Sequence, residues 1–218
     1  MQKFTSQLVL GVLLTFTAQS VFAKSDMGQG RLFLGSTQAD PKELNTELTT
    51  QGIKNVELNN KFGVEITFPT FEYLNLGLRY TYNLISNDEE TPDPNTDYLA
   101  KATQSSFLGV ARVPFYKNDF VHLDVFAGIG VNNLSYSIKT ASQDGKLEQS
   151  TIPTYAAGAS ASFGFKKYFV FFEGGYESNL AKDLKTSGNI NANVTKIDLT
   201  GSYFVIGLMF DGIPIFKM

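Results

Sequence analysis

Two polar residues near the middle of the chain, His122 and Asp124, have the types and the spacing for acid–base chemistry. In an extended strand, residues two apart lie on the same face, so the imidazole and the carboxylate would be neighbours. His122 is the only histidine of the sequence, so no second imidazole can complete a catalytic or metal-binding set. The residue pattern therefore favours a structural role for His122.

The densest group of carboxylates lies in residues 88–97, which contain Asp88, Glu89, Glu90, Asp93 and Asp97. Hard carboxylate oxygens can bind a divalent cation. This segment lacks the glycine and the regular spacing of a calcium-binding loop, so the pattern favours a solvated charged loop. The sequence also lacks a glycine-rich phosphate loop, a zinc-ligand spacing and a basic patch. We therefore predict no cofactor, no bound metal and no nucleic-acid partner.

Residues 74–84 alternate between apolar and polar side chains without an error. Leu76, Leu78 and Tyr80 lie on one face of an extended strand, and Arg79 lies on the other. The apolar row is longer than a typical globular strand of ~5–6 residues and matches the ~9–11 residues of a tilted strand that crosses a bilayer. An arginine is costly facing lipid and tolerated facing a polar barrel interior. The segment therefore predicts a transmembrane β-strand.

Seven further segments alternate in a similar way and predict partners for this strand. They are residues 28–37, 56–68, 101–113, 121–132, 154–165, 168–177 and 195–210. In the fourth strand, either Phe107 and Val113 face lipid with Arg112 inside, or the parity is reversed and Arg112 snorkels at the interface; we prefer the first. The last segment changes parity between Ile197 and Phe204, which indicates a bulge or an early exit from the bilayer.

The polar rows of these strands carry the charges that would lie inside a barrel. The predicted interior residues are Glu65, Arg79, Arg112, Asp124, Glu173 and Glu177, with Lys61 as a further candidate. An eight-stranded barrel is just wide enough for side chains to fill, so we predict a plug in which the charges pair. The alternative is a narrow path for a small solute. Acids outnumber bases in the predicted set, so such a path would favour cations.

The links between the eight predicted strands alternate between long and short. The long links are residues 36–55, 85–98, 139–150 and 181–193, and the short ones are residues 69–73, 114–119 and 166–167. Short periplasmic turns and longer outer loops are typical of bacterial outer-membrane barrels, so we expect the long links to be mobile, hydrated outer loops. A soluble eight-stranded barrel with its apolar rows inside is the alternative. It is disfavoured because the polar rows are rich in Gly, Ser, Thr and Asn.

The start of the chain has the pattern of a secretory signal peptide. Lys3 gives a positive start, residues 8–16 are apolar, and small residues precede a cleavage site after Ala23. We therefore predict a cleavable signal peptide over residues 1–23 and one domain over residues 24–218. The sequence has no cysteine, so an exported chain would be stabilised by the closed hydrogen bonding of a barrel and not by disulfides.

The closing segment, residues 203–210, contains Tyr203, Gly207, Leu208 and Phe210. It resembles the aromatic-ended final strand that outer-membrane barrels present to their insertion machinery, although eight residues follow it here. With the strand and link pattern, it makes the chain similar to the eight-stranded families of the OmpA transmembrane domain, OmpX and OmpW. The resemblance implies an all-β fold, an eight-stranded antiparallel up-and-down transmembrane β-barrel, in the outer membrane of a Gram-negative bacterial cell.

The resemblance also implies partners and a role. We expect contact with outer-membrane lipids and lipopolysaccharide, with the insertion machinery and, through the outer loops, with an extracellular partner; we predict a monomer. Barrel enzymes that act on lipid A place a histidine near the outer leaflet or loops, and the long links here contain none. We predict a non-enzymatic structural or surface-interaction role. The alternatives are a channel or transporter for small or apolar solutes and a lipid-modifying enzyme.

Overall fold

The alternating segment at residues 74–84 forms strand β3 (Leu74–Ser86) in a computed structural model that describes residues 27–39, 41–50, 58–71, 73–86, 99–139, 144–189 and 194–214. The other elements are β1 (Met27–Ala39), α1 (Lys42–Thr50), β2 (Leu58–Phe71), β4 (Leu99–Lys117), β5 (Val121–Lys139), β6 (Asp144–Phe165), β7 (Tyr168–Ala181), β8 (Lys185–Asn189), β9 (Ile197–Asp198) and β10 (Gly201–Pro214). The predicted signal peptide and the acidic segment 88–97 lie outside the described residues.

The strands form an antiparallel up-and-down barrel. Each of β1 to β7 pairs with its neighbour in the chain, and β10 closes the barrel between β7 and β1. Closure pairs the backbone groups of both edges, which is the condition for a sheet to lie in lipid. The two short strands are additions at one end of the barrel, where β8 pairs with β6 and β9 pairs with β7.

The apolar rows face outward on every barrel strand, as the sequence predicts. One outward residue from each strand is exposed by 41% to 50%: Leu32, Val64, Leu78, Phe107, Val125, Phe163, Phe172 and Leu208. The neighbouring Arg31, Glu65 and Arg79 point inward and are at most 2% exposed. Arg112 is 1% exposed, which confirms the preferred parity of β4. A soluble barrel with its apolar rows inside is excluded by this arrangement.

The outward apolar rows form a belt with a sharp upper limit. On β5 the belt covers residues 121–131, about the length that a tilted strand needs to cross a bilayer. Beyond it, the next outward residues of most strands are small and polar: Ser36, Asn60, Ser105, Asn133, Ser178 and Ser202. This change in side-chain polarity marks where the barrel leaves the hydrocarbon region.

The two ends of the barrel differ. At the turn end, residues 72–73, 118–120 and 166–167 connect the strands, and Lys166 adopts the positive φ of 59° that a two-residue hairpin turn uses. At the loop end, the described parts of the long links form regular secondary structure, which the sequence analysis did not predict. Residues 36–55 contain α1, residues 139–150 mostly extend the β5–β6 hairpin, and residues 181–193 contain β8.

Apolar side chains from these links and from the loop ends of the neighbouring strands form a second core, which we call the outer cap. Its residues are Leu44, Leu48, Ala102, Leu134, Tyr136, Leu147, Ile152, Ala181, Ile197 and Leu199. Leu44 and Leu48 are one helical turn apart on α1, so both reach the same cluster. Burial in the cap raises the pKa of the Tyr136 hydroxyl. At its rim, Lys196 donates to Glu43 over 2.8 Å, and this bond raises the pKa of Lys196.

The last strand also resolves the parity question. Ile197 and Leu199 are buried in the outer cap before β10 begins at Gly201. Within β10, Tyr203 is buried and Phe204 is exposed. The odd-numbered residues Ile197, Leu199 and Tyr203 thus all point inward, and the parity of the strand does not change. The apparent change arises because Ile197 and Leu199 lie beyond the bilayer, in the outer cap.

No helix among the described residues is long and apolar enough to span a membrane.

We expect Val125→Arg or Leu78→Arg to reduce the free energy of folding into bilayers by about 2–4 kcal/mol, because either places a charge in the hydrocarbon region. Ser36→Arg is the matched control. Ser36 is exposed on an outward row above the belt, so its replacement should cost only about 0–1 kcal/mol. Urea titration of the protein folded into lipid vesicles measures the difference. Equal losses for the belt and control variants would contradict the position of the belt.

Candidate functional site

The inward rows of the barrel bring together buried charged residues from six strands, β1 to β5 and β7. The described buried acids are Glu65, Asp124, Glu173 and Glu177, and the described buried bases, His122 apart, are Arg31, Lys61, Arg79 and Arg112. All six predicted interior residues lie in this set. The predicted excess of acids is wrong for the described residues, because Arg31 and Lys61 join the two predicted arginines and bring the buried bases to four, equal to the buried acids. The described buried charges of the interior therefore balance and do not favour cations.

Arg112 is the most connected member of this interior network. Its Nε and Nη2 donate to the two carboxylate oxygens of Glu65 over 2.5 and 3.0 Å. Its Nη1 donates to Asp124 over 2.5 Å, and its Nη2 also donates to Glu173 over 2.5 Å. One guanidinium thus binds carboxylates from three other strands, with the bidentate geometry that makes arginine pairs strong and specific.

Arg79, on the neighbouring strand β3, binds two of the same carboxylates, those of Glu65 and Glu173. Its Nε donates to Glu65 over 2.6 Å, and its Nη2 donates to Glu173 over 2.9 Å. Tyr203 accepts from Nη1 of Arg79 over 3.1 Å and donates to Glu173 over 3.0 Å. The guanidinium carbon also lies 4.6 Å from the centre of the Phe126 ring, a cation–π contact. The arginine is therefore held by both charge and aromatic packing.

Arg31 completes the network from β1, and the predicted set lacked it. Its Nη2 donates to Asp124 over 2.8 Å, and its Nη1 donates to Ser160 over 3.0 Å. Its guanidinium carbon lies 5.0 Å from the centre of the Phe171 ring. The inward row of β1 was the available signal, because Arg31 alternates with the outward Leu32.

A separate ion pair lies on the loop-end side of this network. Lys61 donates to Glu177 over 2.5 Å and lies 4.7 Å from the Tyr203 ring centre. Glu177 also accepts hydrogen bonds from Ser106 over 3.3 Å and from Asn179 over 2.8 Å. The carboxylate is thus bound on both oxygens, as a buried charge requires.

Aromatic rings fill much of the remaining interior around the paired charges. A Cβ atom at Gly63 would lie 2.2 Å from the Phe33 ring, and one at Gly207 would lie 2.7 Å from the Phe171 ring. The two glycines therefore provide the space into which the rings fold. An aromatic residue and a glycine on neighbouring inward rows are the sequence signal for such packing.

His122 and Asp124 do not form a catalytic pair in this interior. The Asp124 carboxylate binds Arg31, Arg112 and Ser160, whereas the His122 ring lies 4.3 Å from the Phe169 ring. No hydrogen bond joins His122 to Asp124 in the part of the chain that the structure describes. In that part, no group of three or more potential metal ligands occurs either.

The four predicted closing-strand residues lie on both faces of β10. Tyr203 and Gly207 face the interior, where they contact the arginine network and the Phe171 ring. Leu208 is exposed on the belt, and Phe210 lies half-buried in edge-to-face contact with Tyr168. The strand continues to Pro214 and pairs with the start of β1. Recognition of this segment by the insertion machinery stays a prediction.

No protein-family model and no curated protein sequence matches the chain. Among solved structures, it is similar to the outer membrane protein OprG from Pseudomonas aeruginosa, with 14% identity and a TM-score of 0.51 over 86% of this chain and 96% of that one. Neisserial surface protein A, NspA, gives 12% identity and a TM-score of 0.50 over 85% and 97%. The N-terminal β-barrel domain of P. aeruginosa OprF gives 12% and 0.46 over 86% and 98%. At these identities, the likeness is one of fold.

The closed sheet, the apolar belt and the charged interior together define an eight-stranded outer-membrane β-barrel protein. Its place is the bacterial outer membrane, where such a belt faces lipid and the paired backbone of a closed sheet needs no water.

Proposed function

We propose that the protein is a closed, non-enzymatic barrel with a structural and surface-interaction role, and that no solute passes through it. The observation that carries this proposal is the buried, charge-balanced network centred on Arg112, Arg79 and Glu65. Each of its charges is bound by at least one opposite charge. Opening a path would separate these pairs in a low-dielectric interior, which is strongly unfavourable.

The outer cap supports the same proposal from the loop end. Leu48, Leu134 and Ile197 are at most 3% exposed, so the cap is a packed core placed beyond the belt. Packed elements on a rigid scaffold are suited to present a recognition surface. We propose that an extracellular partner binds the outside of this cap, while outer-membrane lipids surround the belt and the barrel remains a monomer.

The site chemistry supports a non-enzymatic role. Asp124 is engaged by two guanidinium groups and Ser160, and His122 packs against Phe169. Neither is arranged as a general base beside a nucleophile. An assay for lipid A modification or proteolysis by purified protein in lipid is the direct check, and turnover lost in His122→Ala would contradict the proposal.

We expect the purified protein to show no steady conductance in planar lipid bilayers, because paired side chains fill the lumen. The double variant Arg79→Ala/Glu173→Ala removes one base and one acid, so it should reduce stability without producing steady channels. A water-filled porin in the same bilayers is the positive control. Stable, ion-selective steps from the unmodified protein would contradict the closed lumen and favour a transport role.

A further inference from the structure

A polar groove lies on the outer wall of the barrel, directly above the belt. It encloses about 300 Å³. The residues used below to define this wall groove are Tyr82, Ser105, Asn133, Ser135, Gln149 and Lys185. They come from five strands, β3 to β6 and β8, which pair side by side. The groove therefore crosses the sheet where the β5–β6 hairpin rises out of the membrane.

A β-bulge fixes the shape of the groove. Asn132 pairs with Ile152 and Leu134 pairs with Gln149, so two residues of β6 lie opposite Asn133. Thr151, one of the two, has a φ of 64°, a conformation that is uncommon for a β-branched residue. Its N–H donates to the side-chain oxygen of Asn133 over 3.1 Å. Bulges bend a sheet and redirect side chains, and strained backbone of this kind concentrates at functional sites.

Two amide side chains of the groove are held through their oxygen atoms. Asn133 accepts the bond from Thr151, and Gln149 accepts bonds from the N–H groups of Lys182 and Asp183 over 2.8 and 3.0 Å. Within the described part of the chain, the amide nitrogens, with two N–H donors each, remain available to another partner. Anchored donors need little further ordering when a ligand binds, which favours affinity.

The groove offers a ligand several hydrogen-bond donors. The hydroxyls of Ser105 and Ser135 and the ammonium of Lys185 add to the amide donors. Among the described lining residues the one carboxylate is Glu148, which Lys146 binds in an ion pair, so Lys185 leaves this group of three side chains with a net positive charge. A fitting ligand is therefore rich in oxygen acceptors and carries negative charge, as a phosphorylated saccharide does.

The position of the groove directly above the apolar belt indicates that such a ligand would come from the membrane. Tyr82 pairs with Ser105, which pairs with Asn133. One step towards the turn end on the same outward rows lie Tyr80, Phe107 and Val131, which are exposed by 40% to 50%. A molecule seated in the groove would thus have polar contacts at the level of lipid headgroups and an apolar surface directly below them.

We propose that the wall groove binds the anionic saccharide headgroup of an outer-leaflet glycolipid, whose acyl chains lie along the belt below it. The inference deepens the surface-interaction role proposed above and rests on it. The groove lies on the outer wall, so binding there does not depend on whether the lumen is closed.

The test uses the full protein in detergent, titrated with purified lipopolysaccharide and followed by native mass spectrometry. Lys185→Glu reverses a charge in the groove, and Ser105→Leu fills the groove and removes a hydroxyl. The matched controls are Lys139→Glu and Ser36→Leu, which change exposed residues of the same types outside the lining. A second titration uses the oligosaccharide released from the same lipopolysaccharide by removal of its acyl chains. Heat-dependent gel migration verifies that each variant is folded.

We expect both groove variants to weaken lipopolysaccharide binding about tenfold, the effect of one lost charge-assisted hydrogen bond, and the controls to leave it unchanged. The released oligosaccharide should bind more weakly than the intact lipid. Equal effects of groove and control variants, or no binding by the unmodified protein, would overturn the proposal. Equal affinity for the two ligands would overturn the assignment to a membrane lipid. Conductance through the lumen would contradict the proposed closed barrel and leave these results unaffected.

Discussion

Replacing Arg112 by methionine should lower the free energy of unfolding by about 3–5 kcal/mol, the usual cost of removing one partner from a buried ion pair. The methionine retains much of the apolar volume. It removes the donors that bind Glu65, Asp124 and Glu173 over 2.5 to 3.0 Å, so the remaining buried charges are no longer balanced. Urea unfolding in vesicles measures the loss. The chain has ten tyrosines and no tryptophan, so tyrosine fluorescence is the signal.

Lys117→Met is the matched control for this substitution. Lys117 is largely exposed and lies 3.4 Å from Asp211, and an exposed pair of this kind contributes about 0–1 kcal/mol. The double variant Arg112→Met/Glu65→Gln should be more stable than Arg112→Met, because neutralising Glu65 restores the balance of buried charges. A double variant that is less stable than the single one would show that the lost hydrogen bonds outweigh the charge imbalance.

The barrel strands could be predicted because each outward residue has the same neighbour, the lipid. Lipid on one face and a polar lumen on the other favour strict alternation of apolar and polar residues. Leu78 and Arg79 can therefore be assigned to opposite faces without knowledge of the rest of the chain. The same logic places Arg112 inside, because the reversed parity would put its charged side chain on the lipid face together with Leu108 and Val110. The closed pairing then follows from the order of strands and the length of the turns.

The interior contacts could not be predicted in the same way, because they join strands that are not neighbours. Arg31 on β1 binds Asp124 on β5, and Arg112 on β4 binds Glu173 on β7. Alternation indicates which residues point inward. It does not give their position along the barrel axis or their partner across the lumen. The expected excess of acids has a simpler cause, because Arg31 and Lys61 lie on inward rows and were not counted among the interior bases.

The outer cap was missed for a different physical reason. Above the belt there is no lipid, so the polar outward residues of the β5–β6 hairpin look like those of a loop. The apolar residues of the cap are widely spaced in the chain: Leu48, Leu134 and Ile197 come from three separate segments. None of these segments has enough apolar residues to predict a core alone. Only their convergence at one end of the barrel creates it.

Leu48→Ala should therefore loosen the outer cap while the barrel remains intact. Leu48 is fully buried at the centre of the cap, and removing such a side chain costs about 2–5 kcal/mol through lost burial and the cavity left behind. We expect faster amide hydrogen exchange in α1 and in the cap end of β6, measured by mass spectrometry. Exchange in β3 and the belt part of β5 should not change, because those backbone groups are paired within lipid. Thr46→Ala, an exposed change on the same helix, is the control.

The Leu48→Ala variant also tests whether packing of the outer cap protects its lysines from protease. In the unmodified protein, Lys146 and Lys185 lie in paired strands, and the N–H of Lys182 is bound by Gln149. A protease needs an extended, unpaired segment, so we expect these lysines to resist trypsin on intact cells. Leu48→Ala lowers the cost of local opening, and cleavage at these lysines should follow the population of the open cap. Rapid cleavage of the unmodified protein at the same lysines would contradict a packed cap, because these segments would then open independently of the buried cluster that contains Leu48.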